Sequence, residues 1–85
     1  MMKKMIGVFL MPTTKVSLTT SPQQISDGST GIRIQSTRYK FRWVASTAAP
    51  TDLSLYVLDQ DVYIEGKGPI WAWADSQSVG DVSVT

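Results

Sequence analysis

The chain contains no cysteine and no histidine. Without cysteine there is no disulfide staple and no thiolate metal site. Without either residue the usual nucleophile–base triads cannot be assembled. No phosphate-cradling glycine motif and no zinc motif is present, and no spacing singles out a Ser–Lys or Thr–Lys pair. The sequence therefore reads as non-enzymatic, with no cofactor. Charge of one sign is also missing. Eight Lys and Arg stand against seven Asp and Glu, a formal net charge of +1. Strong attraction to nucleic acid or to an acidic membrane needs a larger or more localised excess. No apolar run approaches the roughly 18 residues of a transmembrane helix. Helical periodicity is absent too: no window carries a convincing apolar set at i, i+3, i+4 and i+7.

What the chain does have is alternation with a period of two, broken by turn residues. At 85 residues it is one small domain, and such a chain buries only about 60–65% of its unfolded surface. Three Trp, three Tyr and two Phe supply much of the apolar area. Small domains usually add a staple. With disulfides excluded, a homo-oligomer or a docked subunit is the expected solution.

Strands are expected over Lys15–Thr19, Gln23–Ser26 with Ile25 pointing inward, Ile32–Gln35, Arg38–Val44, Leu53–Leu58 and Val62–Glu65. The last two read as a hairpin turning at Asp59-Gln60-Asp61. The most organised stretch is C-terminal: Ile70-Trp71-Ala72-Trp73-Ala74 and Val79 to Thr85 flank a short polar link and read as a second hairpin. Some seven or eight short strands with regular turn signals predict an all-β protein, a small antiparallel β-sandwich or barrel-like (jelly-roll-like) domain. Its body is expected over residues 14–85, with residues 1–13 as an N-terminal arm or first strand.

In that N-terminal segment Met5, Ile6, Val8, Phe9 and Leu10 make both alternating sets apolar. A strand buried on both faces reads this way, and so does an arm lying on a partner. Lys3 and Lys4 followed by an apolar run imitate a signal peptide, but no small-x-small cleavage site follows. Pro12 ends the element.

Three constellations are candidates for function. Arg38, Lys40 and Arg42 fall on one face of the expected strand, about 7 Å apart, with Tyr39, Phe41 and Trp43 on the other. A single-strand nucleic-acid platform needs bases and cations on the same face. The segregation points instead to a solvated face or to an acidic protein partner. Trp71 and Trp73 share one face of the C-terminal strand, with Ala72 and Ala74 on the other. They fit a core beneath the opposite sheet, a subunit interface, or a sugar-stacking pair. Asp59 and Asp61 form a D-x-D near Glu65, but the ligands are too few for a calcium loop, and a turn accounts for both.

The run Val16-Ser17-Leu18-Thr19-Thr20-Ser21-Pro22-Gln23-Gln24-Ile25, the aromatic strand Gly68 to Ala74 and the closing Val82-Ser83-Val84 together resemble small β-sandwich virion proteins of tailed bacteriophages. These include capsid decoration (cement) proteins and related head or tail accessory subunits. The resemblance covers Lys15 to Thr85. It implies a subunit of the virion, on the capsid exterior, that binds the major capsid protein and cross-links its neighbours, often as a homotrimer. On that reading Met5, Ile6, Val8, Phe9 and Leu10 form an inter-subunit arm. Arg38, Lys40 and Arg42 supply capsid-facing or inter-protomer charges, and Trp71 and Trp73 are core or trimer anchors. The alternatives are a tail or head–tail junction accessory protein, a carbohydrate-binding module using the Trp71/Trp73 pair, and an antagonist of a host enzyme.

Overall fold

Ile32 and Ile34 are buried while Arg33 and Gln35 are exposed, the alternation a half-buried strand requires. The same logic generates eight strands in the computed structural model, which describes residues 13–75 and 80–85. They are β1 (Thr14–Leu18), β2 (Gln23–Ser26), β3 (Ile32–Gln35), β4 (Phe41–Ala45), β5 (Val57–Asp59), β6 (Asp61–Ile64), β7 (Ile70–Ala74) and β8 (Gly80–Val84). Two four-stranded antiparallel sheets result, in the orders β1-β8-β3-β6 and β2-β7-β4-β5. The first strand pairs with the last, the second with the seventh, the third with the sixth and the fourth with the fifth. This is one long hairpin rolled over on itself, the connectivity of a jelly roll, and the expected all-β sandwich is what the chain forms.

Neither expected hairpin exists. β7 and β8 lie in different sheets, as do β5 and β6. Of the seven connections only β4 to β5 stays within one sheet. Gln60 alone separates β5 from β6, and its carbonyl accepts the Ser36 N–H at 2.8 Å. That residue makes a corner between sheets, not a turn within one. β7 and β8 are both interior strands, so each needs two hydrogen-bonded neighbours, and these come from elsewhere in the chain.

Two expected strands are shortened by side chains that capture the backbone. The Ser36 hydroxyl accepts the Tyr39 N–H at 3.2 Å, which bends residues 37–39 and delays β4 until Phe41. The Asp52 carboxylate accepts both the N–H and the hydroxyl of Ser54, at 3.1 and 2.6 Å. Such Asx-type turns compete with strand pairing, and β5 begins only at Val57.

The core lies between the sheets. Leu18, Ile32, Ile34, Phe41, Ile64, Ile70 and Val82 fill it, with Ala72 and Ala74. Across β4 and β7 large residues face small ones: Phe41 opposes Ala74, Trp43 opposes Ala72, and Ile70 opposes Ala45. The register thus meets the volume requirement of a close-packed interior. Along β2 the pairing with β7 slips between Gln24 and Ser26, a bulge, and Ile25 packs against the core as expected. No polar or charged residue among those described is buried. Met5, Ile6, Val8, Phe9 and Leu10 lie outside the described residues, as does most of the polar link after Asp75.

Candidate functional site

Because Ala72 and Ala74 face the core, Trp71 and Trp73 stand on the outer face of their sheet. The register puts Arg42 beside Trp73, Val44 beside Trp71 and Leu58 beside Arg42 on that face. Trp73 is nonetheless only 2% exposed. Its cover comes from the connection over residues 46–56. Tyr56 meets Trp73 edge to face, with centroids 6.3 Å apart and planes at 76°, a favoured aromatic geometry. The Arg42 guanidinium lies 4.3 Å from the Tyr56 ring centroid, and its Nε donates to Asp75 Oδ1 at 2.8 Å. Half-buried Trp71 donates its indole N–H to the Ser46 carbonyl at 3.0 Å. The Trp73 indole nitrogen finds no acceptor among the described residues.

This corrects two expectations. The tryptophans are not beneath the opposite sheet; Trp73 forms part of a second, smaller cluster on the outside of its own sheet. Nor do they offer a free stacking pair. Trp73 is covered and Trp71 is half-buried, so the two rings do not form an exposed pair.

The basic stripe dissolves as well. Only Arg42 lies on β4. Arg38 and Lys40 sit in the exposed bend before it, where the Arg38 guanidinium lies 5.3 Å from the ring centroid of Tyr39. Tyr39 is 51% exposed and contributes with Ser36, Thr37, Arg38 and Asp81 to an open hollow of about 340 Å³. Arg33 belongs to the other sheet and is engaged with Asp61 by two hydrogen bonds of 2.9 Å. Lys15 lies 3.3 Å from Asp81, and the Ser17 hydroxyl donates to the same carboxylate at 2.9 Å.

These partners hold carboxyls below their ordinary value. Arg33 does so for Asp61. For Asp81 the Ser17 hydroxyl acts first and Lys15 adds to it. Asp27 and Asp52 are lowered by the side-chain hydroxyls of Ser29 and Ser54 and then by their N–H groups. Tyr63 is raised, because its hydroxyl donates to the Glu65 carboxylate. Every one of these groups is on the surface, and none is pushed toward neutrality where a general acid or base would need it. The two aspartates of the D-x-D point to different partners: Asp59 accepts the Trp43 indole N–H at 3.0 Å and Asp61 binds Arg33. Among the described residues no three acidic side chains converge in a way that could hold a metal ion, and no helix is long and apolar enough to cross a membrane.

The feature that sequence reasoning missed is the exposed apolar run along β5. Leu55, Tyr56, Val57 and Leu58 are all exposed. Among the described strands β5 lies at a sheet edge, and Leu55 also lines a groove of about 260 Å³ with Val44, Ala45, Ala49 and Pro50. The run was expected as a strand over Leu53–Leu58, with no face of it assigned; with the turn at Asp52–Ser54 only Val57–Asp59 is strand. Comparisons with protein-family models, with curated proteins and with solved structures find no match to this chain.

Proposed function

We propose that the protein is a non-enzymatic structural subunit, a head decoration (cement) protein that docks on the outside of a bacteriophage capsid and cross-links the major capsid protein. The observation that carries this reading is an exposed apolar run, Leu55, Val57 and Leu58, at a sheet edge among the described strands, on a chain with a net charge of only +1. Arg33, Arg42 and Lys15 each have a carboxylate partner, and a net charge of +1 offers little long-range attraction to a polyanion, whereas exposed Leu55, Val57 and Leu58 suit a protein surface. The jelly-roll connectivity adds support at the level of fold analogy, since capsid-associated domains often use it. A lattice role asks for many weak, repeated contacts, each effectively intramolecular once the first is made, and a small sandwich with a net charge of only +1 suits it. Exposed Arg38, Tyr39 and Lys40 are the side chains for polar contacts with the capsid. Trimeric assembly belongs to the same proposal.

Quantitative mass spectrometry of purified virions tests this. A copy number commensurate with the major capsid protein supports decoration. A copy number matching a single tail ring moves the protein to the tail or the head–tail junction. Absence from the particle overturns the virion reading.

A further inference from the structure

The two sheets present different outer faces. One carries the tryptophan cluster. The other is polar: on it Lys15 stands opposite Ser83, and Ser83 opposite Gln35, while Val16, Ile34, Val82 and Val84 of the same strands turn to the core. Lys15, Gln35 and Ser83 line a trough of about 290 Å³, with Thr37 and Asp81 in its wall.

The trough continues because one strand stops early. β8 pairs with β1 from Gly80 to Val84 but with β3 only at Ser83 and Val84. Beyond Gln35 the chain peels away, and the Ser36 hydroxyl holds the bend by accepting the Tyr39 N–H. The space left beside Asp81 is the hollow of about 340 Å³ at Arg38 and Tyr39. Thr37 and Asp81 line both hollows, so the two adjoin. Asp81 and Ser83 are two residues apart on β8, about 7 Å, which leaves room for more than one sugar-sized ring.

The chemistry of the lining selects a class of ligand. Apart from buried Val82 and the half-exposed ring of Tyr39, the side chains are hydroxyl, amide, carboxylate and cationic groups. An apolar segment has little to bury there. Asp81 only accepts hydrogen bonds, Lys15 and Arg38 only donate, and Gln35, Ser83 and Thr37 do both. An aromatic ring at the rim of such a set suits a saccharide, whose C–H face packs on the ring while its hydroxyls use both kinds of partner.

Charge narrows the class. Lys15 lies 3.3 Å from Asp81, and the two cancel. Arg38 is within ion-pair distance of no carboxylate among the described residues. That leaves one positive charge, 5.3 Å from the Tyr39 ring centroid. A guanidinium pairs with a carboxylate through two parallel hydrogen bonds. A closely spaced row of phosphates would also meet Asp81, whose like charge opposes it.

We propose that this trough binds an acidic oligosaccharide, with a sugar carboxylate on Arg38, a sugar ring against Tyr39 and hydroxyls on Asp81, Gln35 and Ser83. The site does not depend on the capsid reading. A copy whose Arg38 and Tyr39 met a capsid would have the trough covered, so the test uses the isolated full chain, and its outcome is separate from the virion copy number.

Oligogalacturonate, a hyaluronan tetrasaccharide and sialyllactose are titrated by calorimetry, each beside its carboxyl methyl ester. At least one acid is expected to bind in the millimolar range or tighter, with its ester about tenfold weaker. Arg38→Ala is expected to erase the difference between acid and ester. Tyr39→Ala is expected to weaken both alike, by about tenfold. Circular dichroism of both variants is expected to match the parent, since both side chains are exposed. Tryptophan emission is expected to stay constant through the titration, because all three tryptophans belong to the other sheet. No heat from any acid at millimolar concentration overturns the proposal. So do esters that bind as well as acids, binding untouched by either substitution, or a preference for heparin or an oligonucleotide, which is plain attraction to a polyanion.

Discussion

The guanidinium of Arg42 lies over the ring of Tyr56, 4.3 Å from its centroid, and Tyr56 in turn meets Trp73 edge to face, so the two residues form a lid over Trp73. One belongs to an interior strand and the other to the long β4–β5 connection. Their stack fastens that connection to the outer face of the sheet. Tyr56→Ala is expected to expose Trp73, shift the tryptophan emission to longer wavelength and cost about 1–2 kcal/mol in chemical denaturation. Arg42→Lys is expected to recover little of what Arg42→Ala loses, because an ammonium neither stacks nor presents the same fork. Unchanged emission in Tyr56→Ala would show that the ring is not the cover.

Ile34 is fully buried at the centre of the core, while its neighbour Arg33 is on the surface. Ile34→Ala is expected to destabilise by about 2–5 kcal/mol, a large share of what so small a domain possesses. Arg33→Ala, which removes an exposed ion pair with Asp61, is expected to cost about 1 kcal/mol or less. Urea midpoints of the two variants check the contrast; equal losses would contradict the placement of β3.

Gly28 has φ +86° and lies against the backbone of Gly68, so a Cβ on it would overlap that backbone. The loops after β2 and before β7 cross there without side chains between them. Gly28→Ala is expected to cost about 2 kcal/mol or more, from the strained backbone and the forced separation. A melting temperature equal to the parent's would show that the crossing loops part freely.

Acid is expected to destabilise the fold. Asp61 and Asp81 sit below their ordinary value of 3.8 in the folded chain, and that value returns on unfolding. The unfolded state therefore binds more protons in acid. The stabilisation is fully present above about pH 4 and is lost as pH falls through the lowered folded values. With no histidine, no side chain has an ordinary titration between pH 5 and 8, so the melting temperature is expected to be level across that range. Asp61→Asn is expected to lessen the acid-limb slope. An identical acid limb would remove the Arg33–Asp61 pair as its source.

What the amino-acid sequence determined by itself is the strands and their faces. Gln23–Ser26, Ile32–Gln35 and Ile70–Ala74 are strands with the expected ends, and Ala72 and Ala74 share a face apart from Trp71 and Trp73. Period-two alternation is a local property of a pleated chain, and each residue carries it. Partner choice was decided only by the tertiary structure. β7 and β8 read as a hairpin because neighbours in sequence are the cheapest pairs to close. They separate because each is interior and finds better volume matches elsewhere, as Phe41 does opposite Ala74. The same holds for the candidate site. Arg42 looked like one cation in a stripe until the fold supplied Asp75 and Tyr56, and Trp73 looked like core until a loop covered it from outside. The strand expected over Leu53–Leu58 is cut back to Val57–Asp59 where the Asp52 carboxylate takes the Ser54 N–H and hydroxyl, and Tyr56 meets Trp73, a contact between residues that only the folded chain brings together.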